Sequence, residues 1–371
     1  MKVAAIETFP LAAEGERGSY GAPYGFVVKV VSDDGLVGYG ETDSMPSVVE
    51  AVIRAPFLND LMSGLAYVLI GHDAEPGAAW RRMAQATLNY GRDGPTRHAM
   101  AAIDIALWDL EGKTERKPVH ALLGGARRER VRAYASHPLG RSLGETADAA
   151  RRLVAQGFTA VKFGWHPLGP DAEADEAIVR TLREAIGPDR DLLIDAGMAW
   201  DVPTAIARCE RFAPYRLFWL EEPLQAYDVA GYTALAAATQ TPIAGGEMAA
   251  SYAELSRLVE ARGVDVLQVD VSRTGLTEAM RVAALAERFG VPCVNHTYSY
   301  LLNAAASLHF MAAVHETALY EHQAAPNQMR DRLDQGQLAP RDGWVTVPSG
   351  PGLGVEVDEE ALRFFRTPAA G

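Results

Sequence analysis

In the second half of this 371-residue chain, residues with chemical capacity recur at a nearly constant step. Asp195, Glu221, Glu247, Asp270 and His296 are separated by 26, 26, 23 and 26 residues, and Glu321 follows. Each closes, or directly follows, a short apolar run: 192–195, 217–221, 242–246, 266–270, 292–296 and 318–321. Lys162 stands near the end of another, 160–163. A single acid after a strand is most often the N-cap of the next helix. Six such residues on successive runs, one repeat apart, instead share one height on one rim. Three converging carboxylates repel one another severely unless a cation sits between them. Hard oxygen ligands without a cysteine or histidine select Mg2+ or Mn2+ over zinc. Asp195, Glu221 and Glu247 are therefore candidate metal ligands. Asp270 and His296 lie one repeat further round, where a carboxylate beside an imidazole orients its tautomer and raises its basicity, as a general base requires. Lys162 offers a positive charge for a substrate carboxylate, and Glu321 is placed to donate a proton or hydrogen bond from the far wall.

The elements that must position these residues alternate in type. Apolar runs at 131–135 and 160–163 bring the number of expected strands to eight, and helical patterns at 171–186, 203–212, 252–262 and 277–289 lie between them. Strand–helix alternation argues for parallel βαβ units, and eight is the number that closes a barrel. The expected fold is α/β, a (β/α)8-type barrel (a modified TIM barrel) over 126–340. Residues 1–125 read as an α+β capping domain, with a strand at 24–31, a turn at 32–35, a return strand at 36–41 and a helix from about 96 to 110. Residues 341–371 form a turn-rich tail containing Pro348-Ser349-Gly350-Pro351-Gly352-Leu353-Gly354, expected to pack back on the cap.

Composition narrows the partners. The chain is 48% hydrophobic and 22% charged, with a net charge of -13 that disfavours nucleic acid. An anionic substrate would need a local cation, a metal or a lysine, to reverse that field. Cys209 and Cys293 are too few for a disulfide framework and too far apart for a zinc motif. Glu7 interrupts the start before an apolar signal region develops, and no stretch reaches the roughly 18 apolar residues of a membrane helix. A cytoplasmic protein without membrane or nucleic-acid partners is expected.

With these residues assembled, the chain resembles the enolase superfamily, specifically the mandelate racemase-like subgroup of acid-sugar enzymes within the mandelate racemase/muconate lactonizing enzyme family. The resemblance runs through Asp34-Gly35-Leu36-Val37-Gly38-Tyr39-Gly40-Glu41 and the stretch from Ala102 to Lys113, including Trp108-Asp109-Leu110-Glu111-Gly112-Lys113. It continues through Leu122-Leu123-Gly124-Gly125, Ile194-Asp195-Ala196, Trp219-Leu220-Glu221-Glu222-Pro223 and Ala244-Gly245-Gly246-Glu247. Later come Gln268-Val269-Asp270-Val271-Ser272-Arg273, Asn295-His296-Thr297 and Pro351-Gly352-Leu353-Gly354. It implies a half-reaction in which Mg2+ and a cation bind a carboxylate and a base removes the α-proton. It also implies a small sugar-acid substrate and a homo-oligomer, dimer or octamer.

One departure bears on the reaction. Relatives working from both faces of the substrate carry Lys-x-Lys on the second strand, and here the run is Ala160-Val161-Lys162-Phe163-Gly164-Trp165. Glycine stands where the second base should be, which disfavours a racemase, although His137, His166 or Tyr298 are candidates to replace it. A syn β-elimination needs only His296, so dehydration of an aldonate or aldarate to a 2-keto-3-deoxy acid is the preferred reading. An isomerase of the same half-reaction, including a one-base lactone cycloisomerase, is the alternative. A silent metal- or ligand-binding scaffold would show a broken ligand set or dyad, and neither is broken. Arg273-Thr274-Gly275-Leu276 replaces a double glycine, and a local loop effect is expected. The second position after Asp195 is Gly197 where several relatives have asparagine. Specificity should come from cap loops at 16–24 and 43–48, carrying Arg17, Tyr20, Tyr24 and Met45, with glycines giving the first room to move. Trp165 should stand at the barrel mouth.

Overall fold

The structure is a computed structural model and describes residues 1–13, 24–165, 168–315, 317 and 319–367. Strands β1 (Val3–Ala12), β2 (Tyr24–Ser32) and β3 (Val37–Thr42) form an antiparallel sheet in that order. Phe26, Val28 and Val30 alternate along β2 and are fully buried in the cap core. The helix Pro95–Glu115 packs on this sheet and on the barrel helix Val271–Phe289, so it is apolar nearly all round. It ends at Arg116, which takes the left-handed conformation with φ 54°.

The barrel strands are β4 (Arg130–Pro138), β5 (Ala160–Gly164), β6 (Asp191–Asp195), β7 (Trp219–Glu221), β8 (Ile243–Gly245), β9 (Val266–Val269), β10 (Cys293–Asn295) and β11 (Tyr320–Gln323). They form one parallel sheet running from β10 down to β4 and on to β11, with each strand falling on an expected run. At the seam between β10 and β11 a side chain carries the pairing. Asn295 Oδ1 accepts the Glu321 N–H at 2.8 Å, and Asn295 Nδ2 reaches the Glu321 carbonyl at 3.5 Å. The tail meets the barrel before the cap: β12 (Trp344–Thr346) pairs antiparallel with β4. Beyond it, the helix Glu359–Phe365 approaches β1, Lys29 pairs with Glu359 at 2.7 Å, and the Thr367 N–H bonds to Pro10 O at 2.8 Å.

Two buried carboxylates dock cap on barrel. Glu41 of β3 accepts the backbone N–H groups of Tyr300 (2.7 Å), Leu302 (3.0 Å) and Asn303 (3.2 Å), capping the helix Leu301–Ala313 that follows the His296 strand. Burial outweighs these bonds and pushes Glu41 up to about 7. Asp104 of the cap helix accepts the Thr277 N–H at 2.9 Å, and burial pushes it to about 7 as well. The helix expected from 277 starts earlier, at Val271, with non-helical Gly275 (φ 69°) inside it. A Cβ there would sit 2.8 Å from Asp104 Oδ2, so the glycine makes room for the docking carboxylate.

Candidate active site

Asp195 and Glu221 are register partners at the ends of β6 and β7, and Glu247 follows β8 after Gly246. One oxygen from each lies within 4.8 Å of the others, and all three residues are buried. Asp195 Oδ1 accepts the Gly197 N–H at 2.9 Å, and Glu221 Oε2 accepts Trp219 Nε1–H at 2.9 Å. Glu247 Oε2 is buried with no hydrogen-bond partner. Burial and the neighbouring Glu221 charge push Asp195 to about 8. Burial also lifts Glu247 well above the usual carboxylate range, with Glu222, Asp195 and Glu221 adding to it and His296 opposing it. Glu222, which sequence reasoning passed over, is a further buried acid beside the triad, at φ 36° and accepting the Gly246 N–H at 3.4 Å. Mutual repulsion, an orphaned buried oxygen and an all-oxygen donor set fit a hard divalent cation held by Asp195, Glu221 and Glu247.

Asp270 directly follows β9 and makes two contacts. Its Oδ1 caps the following helix by accepting the Ser272 N–H at 2.7 Å, and its Oδ2 lies 2.8 Å from His296 Nδ1. One carboxylate thus both caps the helix and meets the imidazole. Nδ1 meets Asp270, and Nε2 faces Glu247 Oε2 at 3.4 Å and Glu321 Oε2 at 4.0 Å. Burial works against the imidazolium, but Glu247, Glu321 and Asp270 outweigh it and raise His296 to about 10. Lys162 pairs with Glu221 and, at 2.8 Å, with Glu321 Oε1; Asp195 Oδ2 lies 3.9 Å away. Burial would discharge this lysine, yet Glu221 and Glu321 hold its pKa well above the ordinary value. Glu321, pulled down by Lys162 and His296 despite its burial, stays ionised between the two cations and also accepts the Thr297 N–H at 2.9 Å. Beneath Lys162 lies the Tyr134 ring, at 5.5 Å, a residue with no sequence signal beyond its strand.

A cavity of about 340 Å³ opens over these groups, and Tyr24, Trp165, Tyr298 and Asn327 form part of its wall. Trp165 lines the cavity at 38% exposure, with the unusual φ of 60°. Tyr24 is 43% exposed beside it. Met45 is placed elsewhere: it precedes the helix Pro46–Arg54, is 62% exposed, and is not among the cavity-lining residues, whereas Asp43 of the same loop is. Arg17, Tyr20 and His166 lie outside the described residues. Gly164 faces the site beside Asp195, its register partner, and a Cβ on it would lie 2.1 Å from Asp195 O. The strand ends touch, so position 164 has no space for a side chain, still less a lysine. His137 contributes to the cavity wall; it is the register partner of Phe163, and the two rings lie 5.5 Å apart.

Residues 145–361 match the family described as enolase C-terminal domain-like, and residues 17–124 match the mandelate racemase/muconate lactonizing enzyme N-terminal domain. A D-galactarolactone cycloisomerase of Agrobacterium fabrum (strain C58) is 34% identical over 92% of this chain and 91% of its own. A D-gluconate dehydratase of Thermoproteus tenax is 35% identical over 95% of this chain and 72% of its own. A racemase from Streptomyces coelicolor A3(2), solved with bound magnesium, superposes with a TM-score of 0.86 at 28% identity, covering 98% of this chain and all of that one. Among the described residues no helix is long and apolar enough to cross a membrane.

Proposed function

Because the chain belongs to the mandelate racemase/muconate lactonizing enzyme family of the enolase superfamily, we propose that it dehydrates a sugar acid, an aldonate or aldarate, to a 2-keto-3-deoxy acid. The observation that carries this reading is a one-sided base: His296 faces the metal-type triad, while Gly164 leaves no room for a partner on the opposite strand. A divalent cation on Asp195, Glu221 and Glu247 would supply positive charge for the substrate carboxylate and for the negative charge that develops as the α-proton leaves. Lys162 binds the same carboxylate. A cation on the triad would neutralise the Glu247 charge that otherwise favours the imidazolium, so that His296 Nε2 takes the α-proton and Asp270 stabilises the imidazolium that results. The imidazolium then gives its proton to the β-hydroxyl, which departs as water on the same face. The enol left behind tautomerises to the keto acid.

Lactone cycloisomerisation is the second reading, supported by the Agrobacterium relative and equally possible with one base. The two separate in a screen of purified protein and Mg2+ against aldonic, uronic and aldaric acids and their lactones in D2O. Formation of a 2-keto acid from one or two substrates is the expected result. A dehydration product is one water lighter than its substrate, so a ring-opened or ring-closed product of unchanged mass would move the assignment to an isomerase, and the absence of any α-proton exchange across the library would overturn both.

A further inference from the structure

Arg273 lies one turn into the helix that Asp270 caps, and its guanidinium touches three parts of the molecule. Nη1 donates to the Glu247 carbonyl at 2.6 Å, Nη2 donates to Asp43 Oδ2 at 2.8 Å, and Nε points to Asp43 Oδ1 at 3.4 Å. Nε also lies 3.6 Å from Asp270 Oδ2, the oxygen that meets His296 Nδ1. Asp270 Oδ1 is already engaged by Ser272 N–H and, at 3.4 Å, by Asn303 Nδ2. A guanidinium seeks a close, forked contact with a carboxylate, at roughly 2.8 Å. From its present place Arg273 needs only a small rotation to reach Oδ2 fully and compete there with the imidazole. Asp43 takes up that donor fork. It directly follows the last residue of β3, so the cap sheet fixes its position.

We propose that the Asp43–Arg273 pair is a positioning device for the base, in which a cap carboxylate holds the guanidinium off the Asp270 oxygen that orients His296. Burial alone would raise Asp43, but Arg273 outweighs it and lowers Asp43 to about 2, so the restraint keeps its charge at any neutral assay pH. The cap thereby takes part in the proton transfer without supplying the atom that moves. This assignment rests on His296 being the base, as argued above.

The test uses the full chain with Mg2+ and four variants: His296→Asn, Asp43→Asn, Asp43→Glu and the double variant Asp43→Asn/Arg273→Gln. The low-field Nδ1 proton of His296, identified by its loss in His296→Asn, is followed by NMR without substrate. α-Proton exchange and KM are followed with the acid found in the screen. In Asp43→Asn the low-field signal should move upfield, and exchange should fall about 10- to 100-fold, with KM changing far less. Asp43→Glu keeps the charge and should retain the signal. The double variant removes the competing cation and should recover the signal and part of the lost rate; the readout that a merely structural role would not move is the His296 signal together with a rate loss at nearly constant KM. An unchanged signal in Asp43→Asn, or a double variant no better than it, overturns the proposal. If Asp43→Asn does not fold, the proposal stands or falls on whether the double variant shows the signal. A wild-type signal or exchange that survives His296→Asn would instead overturn the choice of base.

Discussion

At the residue scale, Glu247 carries the most exacting demand. Its Oε2 is shut away from water, lacks a hydrogen bond and lies 3.4 Å from His296 Nε2. Glutamine at 247 or 221 preserves volume while removing one of the charges a cation would balance. Either variant should weaken Mg2+ binding in isothermal titration by roughly 100-fold and abolish Mg2+-dependent turnover; undiminished binding would refute the ligand assignment. His296→Asn should eliminate exchange of the substrate α-proton and leave ligand affinity within a few-fold, and persistent exchange would point to another base. These residues were legible because each ends one repeat, and a repeat is a distance the sequence displays. Asp43 and Arg273 were not, since 230 positions separate them and neither belongs to a periodic pattern. The same limit explains Met45: which side chain of its loop turns toward the cavity depends on the start of the helix Pro46–Arg54 and on the pull of Arg273 on Asp43.

At the scale of elements, the eight strand assignments followed from apolar runs bounded by helices, because a strand buried on both faces must be continuously apolar. What the runs could not display is how closely two strand ends approach. The contact between β5 and β6 at Gly164 and Asp195 is backbone against backbone. Gly164→Ala should therefore cost about 2–3 kcal/mol of stability, read as a lowered thermal midpoint, with a disturbed Asp195. A variant as stable as the parent would mean that the strand ends can part and that a second base at 164 is sterically admissible. A local effect at Gly275 was legible from the departure at 273–276, but Asp104, which packs against it from the cap helix, was not.

At the scale of the whole molecule, Glu41 and Asp104 set a pH dependence. Both have folded-state pKa values near 7, above the ordinary carboxylate values, because burial favours the neutral acid. The folded chain therefore binds more protons than the unfolded one between about pH 4 and 7. Their contribution is fully present below that window and is lost as pH rises through 7. Thermal midpoints at low ionic strength should fall by roughly 5 °C between pH 5.5 and 8, and a Glu41→Gln/Asp104→Asn variant should flatten the curve. An equally steep curve in that variant would assign the dependence elsewhere.

Those docking carboxylates also bear on exchanging parts between relatives. A transplanted cap that lacked Glu41 would leave the N-terminus of the Leu301–Ala313 helix without its acceptor, just past the strand that presents the imidazole. One that lacked Asp43 would leave a guanidinium unopposed beside Asp270. Chimaeras built to borrow a new specificity should thus fail by losing alignment of the proton-transfer groups before any question of substrate fit arises, unless Glu41, Asp43 and Asp104 travel with the graft.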